Sequence, residues 1–494
     1  MENLPDELLG MICGHCNKPE LKSLRLVSRT TLKAANEYLF PEIVVFMNRE
    51  SLESCKGISA HPVLSRTARN LWIQADRPRR TTFSDWEAER KRDFVHMESI
   101  KTATDVVYAP QSVIKKGDRQ ADMLAIVQEL SLQAKANLEV ATRSKEQSES
   151  LYAKVLRITS EAEEIFYDHS LSTCFRNIFT RCPNVDSVEI TLANSIRRGT
   201  IKENEAFKRS GARAFGDMDP DTSGVDALTQ LVSAALAVDF RPRVLKLGDV
   251  SHYAFMRRAL SDQLKILFTD LEELTWKFTI PYIHDDEIDP EGFDEMVQDF
   301  ERSGKFVSLL EGAPELRKLD LELPFSHHAE ELIMLAWVVG DVTWPLLAHV
   351  RLFNFDTTAA DLSGFLLRHK DTLTSVCIGE VHLLDPAAGE ESQDRWSDCF
   401  LSFAGKLPKV QEFDLRGKFS ADWTKFYDFG DLELNANNTY GRAVSEFLIA
   451  GGNQLPEFPE REESDDWLDD DEDDVLQPAV GDDAENEENV DPDV

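Results

Sequence analysis

Apolar and polar positions along this chain follow two periods. In the first 40 or so residues the period is helical. Leu4, Leu8, Leu9 and Ile12 fall on one face of a helix that Asn3 can cap and in whose first turn Pro5 sits, where a missing N–H does no harm. The stretch Gly14 to Lys18 breaks it. Asn17 then caps a second helix with Glu20 at the capping-box position and an apolar face of Leu21, Leu24 and Val27. Ser28 can cap a third helix carrying Leu32, Ala35 and Leu39, ended by Pro41. Ile43 to Phe46 reads as a strand. Three short helices enclose a small core, and such a unit leans on a neighbour or a partner.

From residue 182 the period changes to apolar-x-x-apolar-x-apolar. Val185-x-x-Val188-x-Ile190 is followed by copies that begin at Leu271, Leu316, Leu347, Leu373 and Val410, and a weaker copy ends at Leu245-Lys246-Leu247. Pro183, Pro314, Pro345 and Pro408 precede several copies, as a turn before a short strand requires. The closing alternation sends side chains to one face, which is the strand period. Helical stretches such as Met334 to Val339 and Asp361 to His369 lie between copies. The pattern predicts an irregular leucine-rich-repeat-like solenoid, since successive copies from Leu271 start 45, 31, 26 and 37 residues apart. An ordinary α/β domain with similar strands is the alternative. A solenoid implies binding on a stacked-strand face and its rim loops.

Other stretches are less periodic. Gln120 to Phe166 is rich in Ala, Leu, Glu, Lys and Gln and free of Gly and Pro, which predicts helices. Arg197 to Val225 reads as a long excursion. Arg77, Arg79, Arg80, Arg90, Lys91 and Arg92 form a local basic cluster, read as a solvated face or a partner for acidic parts of the same chain.

Charge changes the picture more than composition does. The 494 residues carry 54 Lys+Arg against 90 Asp+Glu, a formal net charge of -36, with 42% apolar residues, enough for a sizeable core. Such a field repels phosphate, which argues against nucleic acid as a partner. Half of the excess lies in residues 457–494, with 19 acidic residues against the single basic Arg461. Like charge at this density predicts a disordered acidic tail, with Trp467 as the side chain that could anchor it. No apolar run approaches the roughly 18 residues that span a bilayer, so no membrane role is expected. The acidic start is unlike a signal or transit peptide, and the expectation is a cytoplasmic or nuclear protein.

Candidate chemistry is sparse. Seven scattered cysteines suggest no disulfide framework. Cys13-Gly14-His15-Cys16 spells a CxxC, but it closes an apolar helix rather than opening one after a strand, so it reads as helix-end residues rather than a redox pair. His327-His328 with Glu330-Glu331 reads as surface, because no third ligand partner is placed by sequence. Phosphate loops and nucleophile elbows are absent from the sequence, and no cofactor, metal or catalytic residue is expected.

Leu4-Pro5-Asp6-Glu7-Leu8-Leu9 followed by Leu21-Lys22-Ser23-Leu24-Arg25-Leu26-Val27-Ser28-Arg29 resembles the F-box motif. The likeness covers residues 2 to 46. His61-Pro62-Val63-Leu64 and Phe83-Ser84-Asp85-Trp86 are similar to stretches of large fungal-type F-box proteins. The resemblance implies docking on a Skp-type adaptor, and through it a cullin, with the remainder holding an unknown protein substrate. It places the docking residues at Leu4, Pro5, Leu8, Leu9, Ile12, Leu21 and Leu24. It implies a non-catalytic substrate receptor of a Skp–cullin–F-box type ubiquitin ligase. The alternative is a ligase-independent F-box scaffold. The expected fold is α+β: an F-box over 1–48, a linker region over 49–118, a helical segment over 119–181, a leucine-rich-repeat-like substrate-binding region over 182–450, and an acidic disordered tail over 451–494.

Overall fold

A computed structural model describes residues 4–39, 41–77, 80, 82–88, 145–192, 220–278, 282–284, 287–288, 290–324, 332–384, 395–422, 425–429, 439–452 and 455–456. The described residues through Leu455 form one compact unit. The predicted tail from residue 457 on, residues 197–219 of the predicted excursion, the His327-His328 pair, Arg79 and the 90–92 part of the basic cluster lie outside the described residues. So does the predicted helical stretch before residue 145.

The chain opens with three helices, α1 (Asp6–His15), α2 (Lys18–Leu24) and α3 (Arg29–Leu39). The capping box of α2 forms as the sequence predicts. The Glu20 N–H donates to Asn17 Oδ1 at 3.0 Å, and the Asn17 N–H donates to Glu20 Oε2 at 2.8 Å. At α3 the Thr31 N–H donates to Ser28 Oγ at 3.2 Å, so Ser28 caps this helix as expected. The N-cap of α1 is Pro5, which offers no side-chain hydrogen bond.

Immediately after α3 the chain enters β1 (Glu42–Phe46), and through α4 (Arg49–Ala60) and α5 (Leu64–Thr67) reaches β2 (Asn70–Gln74). The stretch between β2 and β3 (Ser187–Thr191) includes α6 (Lys145–Tyr167) and α7 (Ser170–Arg181). Next come α8 (Pro220–Ala237), β4 (Val244–Gly248) and β5 (Glu273–Lys277). A small antiparallel pair, β6 (Tyr282–His284) and β7 (Glu287–Ile288), stands apart. The main sheet resumes with β8 (Lys318–Glu322), β9 (His349–Thr357), β10 (Ser375–Leu383), β11 (Glu412–Asp422) and β12 (Lys425–Asp428).

Ten strands form one sheet in the order β1-β2-β3-β4-β5-β8-β9-β10-β11-β12, so each main strand pairs with the next one in the chain. All these pairings are parallel except β11 with β12. The sheet therefore crosses the predicted segment boundaries. It takes β1 from the 1–48 segment and β2 from the 49–118 segment before the pattern noticed from residue 182 begins.

The six-residue pattern has a direct physical meaning here. In the copies beginning at Val185, Leu271, Leu316, Leu347, Leu373 and Val410, the first apolar residue precedes its strand by two residues and is buried. The second forms a buried column across the sheet: Leu245, Leu274, Leu319, Val350, Val376 and Phe413 in register. The third forms another: Leu247, Trp276, Leu321, Leu352, Ile378 and Leu415. Each fully buried aliphatic side chain contributes about 1.5–3 kcal/mol relative to exposure, so the stacked columns hold the sheet to its helices. Ala68-x-x-Leu71-x-Ile73 fits the same pattern, with a small residue, itself buried, in the first place.

Strand starts repeat one hydrogen-bond device. Two successive N–H groups at each new strand donate to a single carbonyl, that of the residue just before the preceding strand. Arg69 and Asn70 donate to Pro41, Glu272 and Glu273 to Arg243, Arg317 and Lys318 to Glu272, and Thr374 and Ser375 to Ala348, all at 2.7–3.1 Å. Further along, three neighbouring strands bend together. Asn354, Glu380 and Gly417 have left-handed φ of 63°, 51° and 67° at adjoining registers of β9, β10 and β11. The Asn354 side chain donates to the Leu323 carbonyl at 2.9 Å, which offsets the strain of its conformation.

One face of the sheet is packed under the helices, and the opposite face of β4–β11 is half-buried and polar. Lys277 pairs with Glu322 at 3.4 Å and Arg351 with Asp320 at 2.8 Å; Arg416 pairs with Asp414 at 2.7 Å. The basic cluster is partly absorbed as well. Arg77 pairs with Asp226 at 3.2 Å, donates to Thr222 at 2.7 Å and lies 4.7 Å from the Phe166 ring. Arg80 pairs with Glu163 at 2.6 Å. No helix among the described residues is long and apolar enough to cross a membrane.

Candidate functional site: the three-helix unit

The interior of the three-helix unit is a small cluster of Cys13, Leu21, Ala35 and Leu39, with Cys16, Leu24 and Ala34 packed against it. Helix α1 lies close on α3 because two of its residues lack side chains. A Cβ on Gly14 would meet the Tyr38 ring at 3.3 Å, and one on Gly10 would meet the Tyr38 hydroxyl at 3.4 Å. Four fully buried small or medium side chains make a core well below that of an independent domain.

The predicted docking residues divide. Leu9 and Leu21 are buried, and Leu21 belongs to the interior cluster of the unit. An apolar stripe at helical spacing does not reveal which of its members point inward. Leu24 and Leu4 are half-buried and Pro5 is exposed. Leu8 and Ile12 are exposed, at 45% and 42%. The structure adds Met11 to them, at 63% exposure. Residues 8, 11 and 12 are spaced i, i+3, i+4 and so share one face of α1. Sequence spacing alone could have found Met11, which sits three residues after Leu8.

A second departure concerns the turn between α2 and α3. Val27, expected on the apolar face of α2, is 56% exposed, and Leu26 beside it is 88% exposed. Helix α2 ends at Leu24, and the turn carries both side chains away from the core. Leu32, expected inside α3, is exposed as well; Thr31, Ala35, Asn36 and Leu39 are buried instead. Thr31 is tolerated inside because its hydroxyl donates to the Ser28 carbonyl at 3.1 Å.

Several buried cysteines have raised pKa values. Burial pushes the Cys13 thiol up, with Cys16 and Glu37 adding to the effect. Burial raises Cys182 to about 11 and Cys377 and Cys399 to about 12. A thiol held in this way is not a ready nucleophile at neutral pH, since the thiolate is the reactive form. All seven cysteines are unbridged. Among the described residues, no group of three or more His, Cys, Asp or Glu side chains is arranged to hold a metal ion.

The site is thus a surface rather than a cleft: apolar side chains standing out from a small helical unit whose own core is complete without them. No protein-family model matches the chain, and no curated protein sequence is similar to it.

Proposed function

We propose that this protein is the substrate-recognition subunit of a Skp–cullin–F-box type ubiquitin ligase, docking a Skp-type adaptor through residues 1–48. The observation that carries the reading is the exposed face of α1. Leu8, Met11 and Ile12 stand in solvent on one side of a unit that already has its own interior. Large apolar side chains clustered at a surface mark interaction sites, and a few anchors of this kind dominate affinity.

The sheet supports the second half of the proposal. Parallel strands stacked in chain order, with helices on one face, resemble an irregular leucine-rich-repeat-like array, and the polar face of β4–β11 is the surface that would meet a target. The receptor would act by position. It raises the target's effective concentration beside a ubiquitin-loaded enzyme, and the cullin reaches it only through the adaptor.

Leu8→Glu combined with Ile12→Glu tests the docking half. Both positions are exposed, so the fold should survive, as checked by circular dichroism. The expected result is loss of co-purification with a Skp-type adaptor; undiminished capture rejects the assignment.

A further inference from the structure

The inner side of α1 carries two thiols that docking does not use. Leu9, Cys13 and Cys16 are spaced i, i+4, i+7, so they form one stripe of the helix. Leu9 and Cys13 are buried, and Cys16 is half-buried, packed against the cluster that contains Cys13. The Cys16 N–H donates to the Cys13 carbonyl at 3.2 Å, which closes a single turn at the end of α1. Residues three apart on a helix have Cα atoms about 5 Å apart and side chains on the same face. That spacing lies within the roughly 4.4–6.8 Å that a disulfide spans, so a bridge needs little backbone movement.

The other thiols lack this combination of access and a neighbour. Of the seven cysteines, only Cys16 and Cys377 are not buried. Cys377 is flanked in register by Arg351 and Asp414, so no thiol stands beside it on either neighbouring strand. Cys55, Cys174, Cys182 and Cys399 are buried, out of reach of an oxidant in solution.

We propose that Cys13 and Cys16 form a reversible intramolecular disulfide by exchange with a small disulfide of the glutathione type. The Cys16 thiolate attacks one sulfur of the small disulfide and expels the other as a thiolate. Cys13 then gives up its proton and attacks Cys16 Sγ, expelling the second thiolate. Two protein thiols are oxidised, one small disulfide is reduced to two thiols, and the two protons end on those thiols. Cys13 acts second, where proximity offsets its small thiolate fraction.

Placement at the C-terminal end of a helix decides what kind of pair this is. A catalytic CxxC sits at a helix N-terminus, which stabilises the thiolate and so makes the disulfide easy to reduce. Here the helix end carries partial negative charge, and burial, Cys16 and Glu37 keep the Cys13 thiol protonated. The reduced form gains nothing from a stabilised thiolate, so the bridge persists once made instead of being passed on to other proteins.

The test uses the full chain, reduced with dithiothreitol, desalted and then held with glutathione disulfide under native conditions. After acid quenching, the protein is denatured, alkylated and mapped by mass spectrometry. The expected product has the peptide holding Cys13 and Cys16 lighter by two hydrogens and unalkylated, with the other five cysteines alkylated. Cys13→Ala should keep one glutathione on Cys16, because no second thiol resolves it. Cys16→Ser should leave Cys13 reacting roughly a hundredfold more slowly than Cys16 does in Cys13→Ala. Circular dichroism of both variants checks that the helices survive. Alkylation of all seven cysteines in the parent overturns the proposal, as does a glutathione that stays on Cys16 there. Cys13 reacting in Cys16→Ser as fast as Cys16 does in Cys13→Ala also overturns it.

Discussion

The three helices at the start of the chain and the long sheet behind them handle apolar side chains in opposite ways. In the sheet, the second and third positions of each repeat stack into buried columns, and rings such as Trp276, Phe255, Phe300 and Phe306 fill the space beneath with centroids 4.9–6.4 Å apart. In the three-helix unit, Cys13, Leu21, Ala35 and Leu39 are inside while Leu8, Met11, Ile12, Leu26, Val27 and Leu32 remain at the surface. A region built for its own stability buries its large residues. A region that leaves more of them outside than inside is consistent with the proposed docking role.

That contrast can be broken first in the sheet. Trp276→Ala removes a fully buried ring whose Nε1 donates to the Val250 carbonyl at 3.0 Å, and should destabilise the protein by about 3–5 kcal/mol in urea unfolding. A loss under about 1 kcal/mol would mean that the columns do not carry the fold.

Acid acts next on the same core. Burial lowers the His252 pKa from 6.5 to about 4, and its Nε2 lies 3.3 Å from Asp299. The folded form binds this proton less well than the unfolded chain. The associated stability is complete above about pH 6.5 and is lost as pH falls toward 4, by about 3 kcal/mol. Asp299 works against this trend, since burial and Glu295 raise its pKa and its protonation favours the folded form. Comparing the parent with His252→Gln isolates the histidine. The parent should lose more stability between pH 7 and pH 4, and parallel pH profiles would contradict the assignment.

Within the three-helix unit the effects are smaller and local. Leu21→Ala should cost about 2–3 kcal/mol of local stability, read as faster amide hydrogen exchange confined to residues 6–39. Equal acceleration in β4–β11 would show that the two regions unfold together. Asn17→Ala removes one arm of the α2 capping box and should cost about 1 kcal/mol by the same measurement. Leu8→Glu, at the surface, should change stability by no more than about 0.5 kcal/mol while, on the proposed reading, weakening adaptor capture. This last pairing separates contact from folding most sharply.

Much of this architecture was legible in the residues, for reasons that are local. The Asn17–Glu20 pair and Ser28 announce their helix starts because a cap needs only a side-chain oxygen within three residues of an unpaired N–H. The later strands could be placed because each copy of the pattern marks its own strand. The second strand was harder. Ala68 in the leading position makes that copy faint, and β2 finds its partner β3 only across the long stretch from Gln74 to Ser187. Of the residues that the resemblance names for docking, Leu8 and Ile12 are exposed and Leu9 and Leu21 are buried, a division that helical spacing alone does not show.

By itself, then, the sequence determined where helices and strands begin and which faces of them are apolar, since these follow from caps and from periods of 3.6 and 2 within one element. Only the tertiary structure decided which apolar residues are hidden. An α-helix's apolar stripe is wider than the contact that covers it, and the covering neighbour is chosen by packing. Tyr38 against Gly10 and Gly14 draws α1 onto α3 on one side. The face carrying Leu8, Met11 and Ile12 is left outside, as are Leu26 and Val27 in the turn beyond α2.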